Sequence, residues 1–60
     1  MPIITVDLFE GRTRKQKELF SKAVTEAAVR FLKAPVEHTW VVFRDHAKSD
    51  WAMGGKLCDG

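Results

Sequence analysis

One apolar helical stripe, bracketed by two β-rich segments, constrains this chain more than any other feature. Leu19, Phe20, Ala23, Val24, Ala27, Ala28, Phe31 and Leu32 recur at alternating spacings of one and three. That pattern puts them on one side of an α-helix. Thr13 reads as its N-cap, and Gln16 completes a capping box. Pro35 stops it near Lys33. The charged residues from Arg14 to Lys33 fill the other side, with Glu18→Lys22 and Glu26→Arg30 as favourable i,i+4 pairs. About 19 residues give a helix of about 28 Å.

The flanking segments read as strands. In PIITVDLF (2–9), Ile4, Val6 and Leu8 share one face and should cover the core, opposite Ile3, Thr5 and Asp7. In HTWVVFR (38–44), His38, Trp40, Val42 and Arg44 share a face opposite Thr39, Val41 and Phe43. Glu10-Gly11-Arg12 connects the first strand to the helix. The tail from Asp45 reads as a loop followed by a short hairpin turning at Gly54-Gly55. The predicted fold is α/β, a single β-α-β domain over residues 1–60 with a parallel pair and a right-handed crossover.

Two parallel strands and one helix leave both sheet edges open and one face bare. Folds of 60 residues lean on disulfides, metals or assembly. The lone Cys58 cannot form an intrachain disulfide, and no His/Cys spacing resembles a zinc site. An oligomer is therefore expected, in a reducing, cytoplasmic compartment. No apolar run approaches a membrane span, and the N-terminus lacks the pattern of a secretory signal. Net charge is only +2, so the basic run Arg12–Lys17 reads as a solvated helix face rather than a nucleic-acid site. His46 reads as a loop histidine, and Cys58 as a spectator.

Two positions invite chemistry. Pro2 follows the initiator Met1, and removal of Met1 would expose a secondary amine. Amino termini titrate near neutrality, and burial lowers that value further, which suits a general base. Arg12, at the helix entry, can clamp a carboxylate in bidentate fashion.

Pro2-Ile3, Leu8-Phe9-Glu10-Gly11-Arg12, Gln16-Lys17-Glu18, Ala34-Pro35 and Met53-Gly54-Gly55 occur in one order along nearly the whole chain. This ordered set resembles the 4-oxalocrotonate tautomerase family of the tautomerase superfamily. The resemblance implies a β-α-β subunit in a homohexamer, a trimer of dimers. It implies cofactor- and metal-free tautomerisation of small enol acids such as 2-hydroxymuconate, and a place in aromatic degradation. The processed proline, here Pro2, would be the base, and Arg12 would bind the distal carboxylate. Trp51 would line the apolar wall that keeps the amine neutral.

One position departs from the pattern. Where well-studied members carry a second arginine in the second strand, this chain has Trp40. An indole offers one N–H and no charge. The cations expected on the same face are His38, about 6.6 Å away, and Arg44, about 13 Å away along an extended strand. With Trp40, His38 and Trp51 as substrate contacts, the expected preference shifts towards monocarboxylates such as arylenolpyruvates. Two alternatives remain open: a subunit of a hetero-oligomer whose partner supplies the missing arginine, and a non-catalytic oligomeric relative. Relatives that hydrate haloacrylates carry an acidic residue where this chain has Met53, which favours tautomerisation over dehalogenation.

Overall fold

β-branched and aromatic residues supply most of both strands that pair. In the computed structural model, which describes residues 1–60, β1 (Ile3–Phe9) and β2 (Trp40–His46) run parallel, in register from Ile3↔Trp40 to Phe9↔His46. α1 (Arg14–Leu32) joins them. A single 3-10 turn, Val36–His38, leads into β2, and a second, Lys48–Asp50, precedes the antiparallel hairpin of β3 (Ala52–Met53) and β4 (Lys56–Leu57). Gly54 and Gly55 turn that hairpin at φ 60° and 84°, a left-handed pair that glycine adopts without a steric cost.

Both ends of α1 are built as its sequence dictates. The Thr13 Oγ1 accepts from the Gln16 N–H at 3.1 Å, and the Thr13 N–H donates to Gln16 Oε1 at 2.8 Å. Lys33 leaves the helix in the left-handed conformation, φ 57°, and its N–H donates to the Ala28 carbonyl. Pro35 follows and prevents continuation. The ion pair that closes on the helix surface is Arg14–Glu18, at 3.1 Å. Glu18 thus pairs back one turn rather than forward to Lys22.

Two sequence expectations are corrected. The second strand begins at Trp40 and not at His38, which lies in the preceding 3-10 turn. His38 therefore does not share a strand face with Trp40. β2 also runs two residues further than expected, so His46 is a strand residue and not a loop residue. The helix stripe is covered only in part. Val24 and Ala28 face inward, but Leu19, Phe20, Phe31 and Leu32 are 48–71% exposed. The cause is width: two strands span only about 5 Å between axes and cannot cover a broad stripe.

The chain alone has almost no interior. Ala28 and Ala34 are its only buried residues, and no side chain is completely enclosed, while Ile4, Val6, Leu8, Val41 and Phe43 are half-covered. Its surface is 4866 Å², against about 4,000 Å² for a compact monomer of this mass. Its radius of gyration is 14.4 Å, against about 10 Å for a compact chain of this length.

Candidate active site

The functional candidates fall at opposite ends of the parallel pair. At its beginning lie Pro2, His38 and Trp40. The Trp40 N–H donates to the Pro2 carbonyl at 2.9 Å, which fixes the two residues side by side. The Met1 ammonium donates to the His38 carbonyl at 2.6 Å. While Met1 is present, the Pro2 nitrogen is an amide and has no basicity. Trp40 is 58% exposed, and with Ile3 and Val42 it forms an apolar strip on the sheet face away from α1.

At the other end lie Arg12 and Trp51. Gly11, at φ 118°, turns the chain from β1 towards α1 through a conformation that side-chain-bearing residues rarely adopt. Arg12 follows at the rim of a cleft of about 320 Å³ on the helix side of the sheet. The floor is Val6, Leu8, Phe20 and Phe43, and Gln16 and Lys17 share the rim. The Lys17 ammonium is neutralised by Asp45 at 2.7 Å. Arg12 has no acidic partner, and the first turn of α1 carries no acidic residue. The helix dipole adds to this positive field. An apolar floor beneath one free guanidinium suits a small organic carboxylate.

Trp51 sits on the opposite sheet face, where it covers the end of the strands. Its ring meets Phe9 edge-to-face at 5.0 Å and His46 at 5.2 Å. Beneath it, His46 Nε2 lies 2.9 Å from Asp7 Oδ1, and Arg44 Nε lies 3.3 Å from the same oxygen. The hydrogen bond from His46, followed by the charge of Arg44, holds the Asp7 carboxyl below its ordinary 3.8 despite some desolvation. The sequence reading missed this cluster. Asp7 and His46 meet only through the β1–β2 register, and ending the second strand at Arg44 hid it.

Pro2 and Arg12 are not brought together within one chain. The seven residues of β1 separate them by about 23 Å. One chain thus presents Pro2 and Trp40 at one end of the strands and Arg12 and Trp51 at the other, the latter two on opposite faces of the sheet.

A family model described as "Tautomerase enzyme" matches residues 2–59. The chain belongs to the tautomerase family. It is 40% identical over 55 residues to a probable tautomerase of Listeria monocytogenes serotype 4b, covering 92% of this chain and 90% of the relative. A probable tautomerase of Streptococcus pneumoniae serotype 4 is 40% identical over 57 residues, covering 95% of each. Among solved structures, a 4-oxalocrotonate tautomerase homologue of the tomaymycin biosynthetic pathway superposes with a TM-score of 0.91 at 33% identity. That match covers 97% of this chain and 89% of the homologue. An unfused 4-oxalocrotonate tautomerase gives 0.90 at 34%, covering 98% and 97%. A fused 4-oxalocrotonate tautomerase described as an asymmetric trimer gives 0.91 at 30%, covering 98% of this chain and 48% of that one. Family and fold together make this a tautomerase-family enzyme of isomerase type.

Proposed function

We propose that this tautomerase-family chain is a cofactor-independent keto–enol tautomerase of the 4-oxalocrotonate type, with the Pro2 amine as base once Met1 is removed. The observation that carries this reading is the pairing of Pro2 with Trp40 at the open, apolar start of the sheet. An amine among apolar groups favours its neutral, proton-accepting form. Pro2 takes the enol hydroxyl proton as the carbonyl forms, and its ammonium returns a proton to the carbon end of the conjugated system. Arg12 binds the distal carboxylate and draws electron density towards it. Trp51 supplies the apolar wall, and His38 lies beside Pro2 as a substrate contact.

The separation of Pro2 from Arg12 supports a site shared between copies. The exposed stripe on α1 and the excess surface of nearly a standard interface per partner support assembly, for which a homohexamer in the cytoplasm is the reading. Trp40 leaves one carboxylate-binding arginine where the family pattern has two. Small dienol acids such as 2-hydroxymuconate, a type formed in aromatic degradation, remain substrates. Arylenolpyruvates with a single carboxylate are preferred.

Ketonisation of 2-hydroxymuconate and phenylenolpyruvate, followed by ultraviolet absorbance on protein whose mass shows Met1 absent, tests this. Turnover that disappears in Pro2→Ala, with the aryl substrate favoured, is the expected result. Absence of turnover with both substrates overturns the homomeric enzyme. It would turn attention to a second chain bearing the missing arginine, or to a non-catalytic role.

A further inference from the structure

Trp51 is anchored by its backbone at two points only. Its N–H donates to the Lys48 carbonyl at 3.3 Å, and its carbonyl accepts from the Cys58 N–H at 2.8 Å. Neither fixes the indole, which lies on the short connection between β2 and β3. What orients the ring is its pair of edge-to-face contacts with Phe9 and His46. Of those two, only His46 is tethered by a polar group.

We propose that His46 is a positioning residue of the enzyme: tethered by Asp7, its imidazole holds the Trp51 indole as the wall of the catalytic pocket. This rests on the tautomerase reading given above. The Asp7 carboxylate accepts only, so the 2.9 Å contact places the hydrogen on Nε2.

The charged groups around His46 favour this arrangement. From β1 it faces Asp7, whose oxygen also receives Arg44 from β2 itself. From the turn after β2, the Lys48 ammonium lies 5.9 Å from the Phe9 ring. Glu10 adjoins it through the backbone, its N–H donating to the His46 carbonyl at 2.9 Å, and Phe9 and Trp51 are uncharged. Asp45 next to it points away and pairs with Lys17.

The consequence for the reaction runs through the Pro2 of a neighbouring copy, since Trp51 lies a strand length from Pro2 of its own chain. A fixed apolar wall excludes water and keeps the amine neutral. A loose wall admits water, raises the pKa of the amine and moves the acid limb of the kcat/KM profile to higher pH. A histidine that served only to stabilise the fold would leave that limb in place.

Two readouts test this. With Trp40→Phe, Trp51 is the sole tryptophan. Its emission maximum at pH 7 is expected to lie to the blue, as for a ring held between Phe9 and His46. It should move to the red in His46→Gln and in Asp7→Asn, as the ring loosens into water. An emission profile identical with and without His46 overturns the proposal. In the otherwise unaltered enzyme, His46→Gln is expected to move the acid limb of kcat/KM to higher pH and to raise KM several-fold. An unmoved limb overturns the proposal while leaving the tautomerase reading intact. His46→Phe keeps a ring without the tether and is expected to behave like Gln in both readouts, which keeps the test decisive should His46→Gln fold poorly. The emission scan needs no turnover, so loss of the tautomerase reading would be recognised separately by the inactivity of the wild-type enzyme.

Discussion

Asp7 shows how one residue can be ordinary in sequence and specific in structure. Its alternation with Val6 and Leu8 only places it on the outer face of β1. The register sets Arg44 opposite, and the added length of β2 brings His46 diagonally across. Because its folded pKa lies below 3.8, Asp7 contributes stability that is complete above that value and is lost as pH falls through the depressed one. Asp7→Asn is therefore expected to lower the urea midpoint at pH 7 and to leave it unchanged near pH 2. A difference of equal size at both pH values would show that the ion cluster is not the cause. Trp40 makes a second prediction at this scale. Trp40→Arg places a charge beside Pro2, where the proposed reaction would develop an oxyanion, and such donors are worth about 10²-fold. The ratio of 2-hydroxymuconate to phenylenolpyruvate turnover is expected to rise by at least about tenfold, read from parallel kcat/KM measurements.

The elements show which local signals are strong enough to survive folding. Capping box, helix length and proline stop were all legible, because each depends on groups within a few residues of one another. The reciprocal Thr13–Gln16 hydrogen bonds make the first turn of α1 self-contained. Thr13→Ala is expected to cost about 1 kcal/mol, measurable as a lower denaturation midpoint with an unchanged m-value. It should also lower substrate affinity, since Arg12 precedes the cap directly. The hairpin at Gly54-Gly55 was legible for the same local reason. The start of β2 was not, because His38-Thr39 is compatible with either a strand or a turn. The Thr39 Oγ1 donates to the Pro35 carbonyl at 2.9 Å, and its N–H donates to the Val36 carbonyl, which selects the turn.

The molecule as a whole is unfinished as a single chain. Its sheet is two strands wide, its helix exposes Leu19, Phe20, Phe31 and Leu32, and its candidate residues Pro2 and Arg12 stand at opposite ends of β1. Assembly by mass action makes stability depend on concentration. The melting temperature is expected to rise with protein concentration, and Phe31→Glu is expected to give a smaller species in sedimentation with loss of turnover. A composite site makes a stricter prediction. Pro2→Ala and Arg12→Ala proteins, each inactive alone, are expected to recover turnover when co-refolded, because some sites then combine an intact Pro2 with an intact Arg12 from another chain. No recovery would place both residues of each site on one subunit.

By itself the sequence determined the α/β class, the order of elements, the N-cap and proline stop of α1, the inward face Ile4-Val6-Leu8 and, through its ordered motifs, the family. These follow from periodicity and short-range hydrogen bonding, which act over a few residues and leave a pattern in the string. Tertiary structure alone decided that the helix stripe stays largely uncovered, that Pro2 and Arg12 lie a strand length apart, and that Asp7, Arg44, His46 and Trp51 form one cluster. Each of these depends on the register of two strands separated by a 19-residue helix. That register is set by how the strands pair and pack, and no local run of residues encodes it.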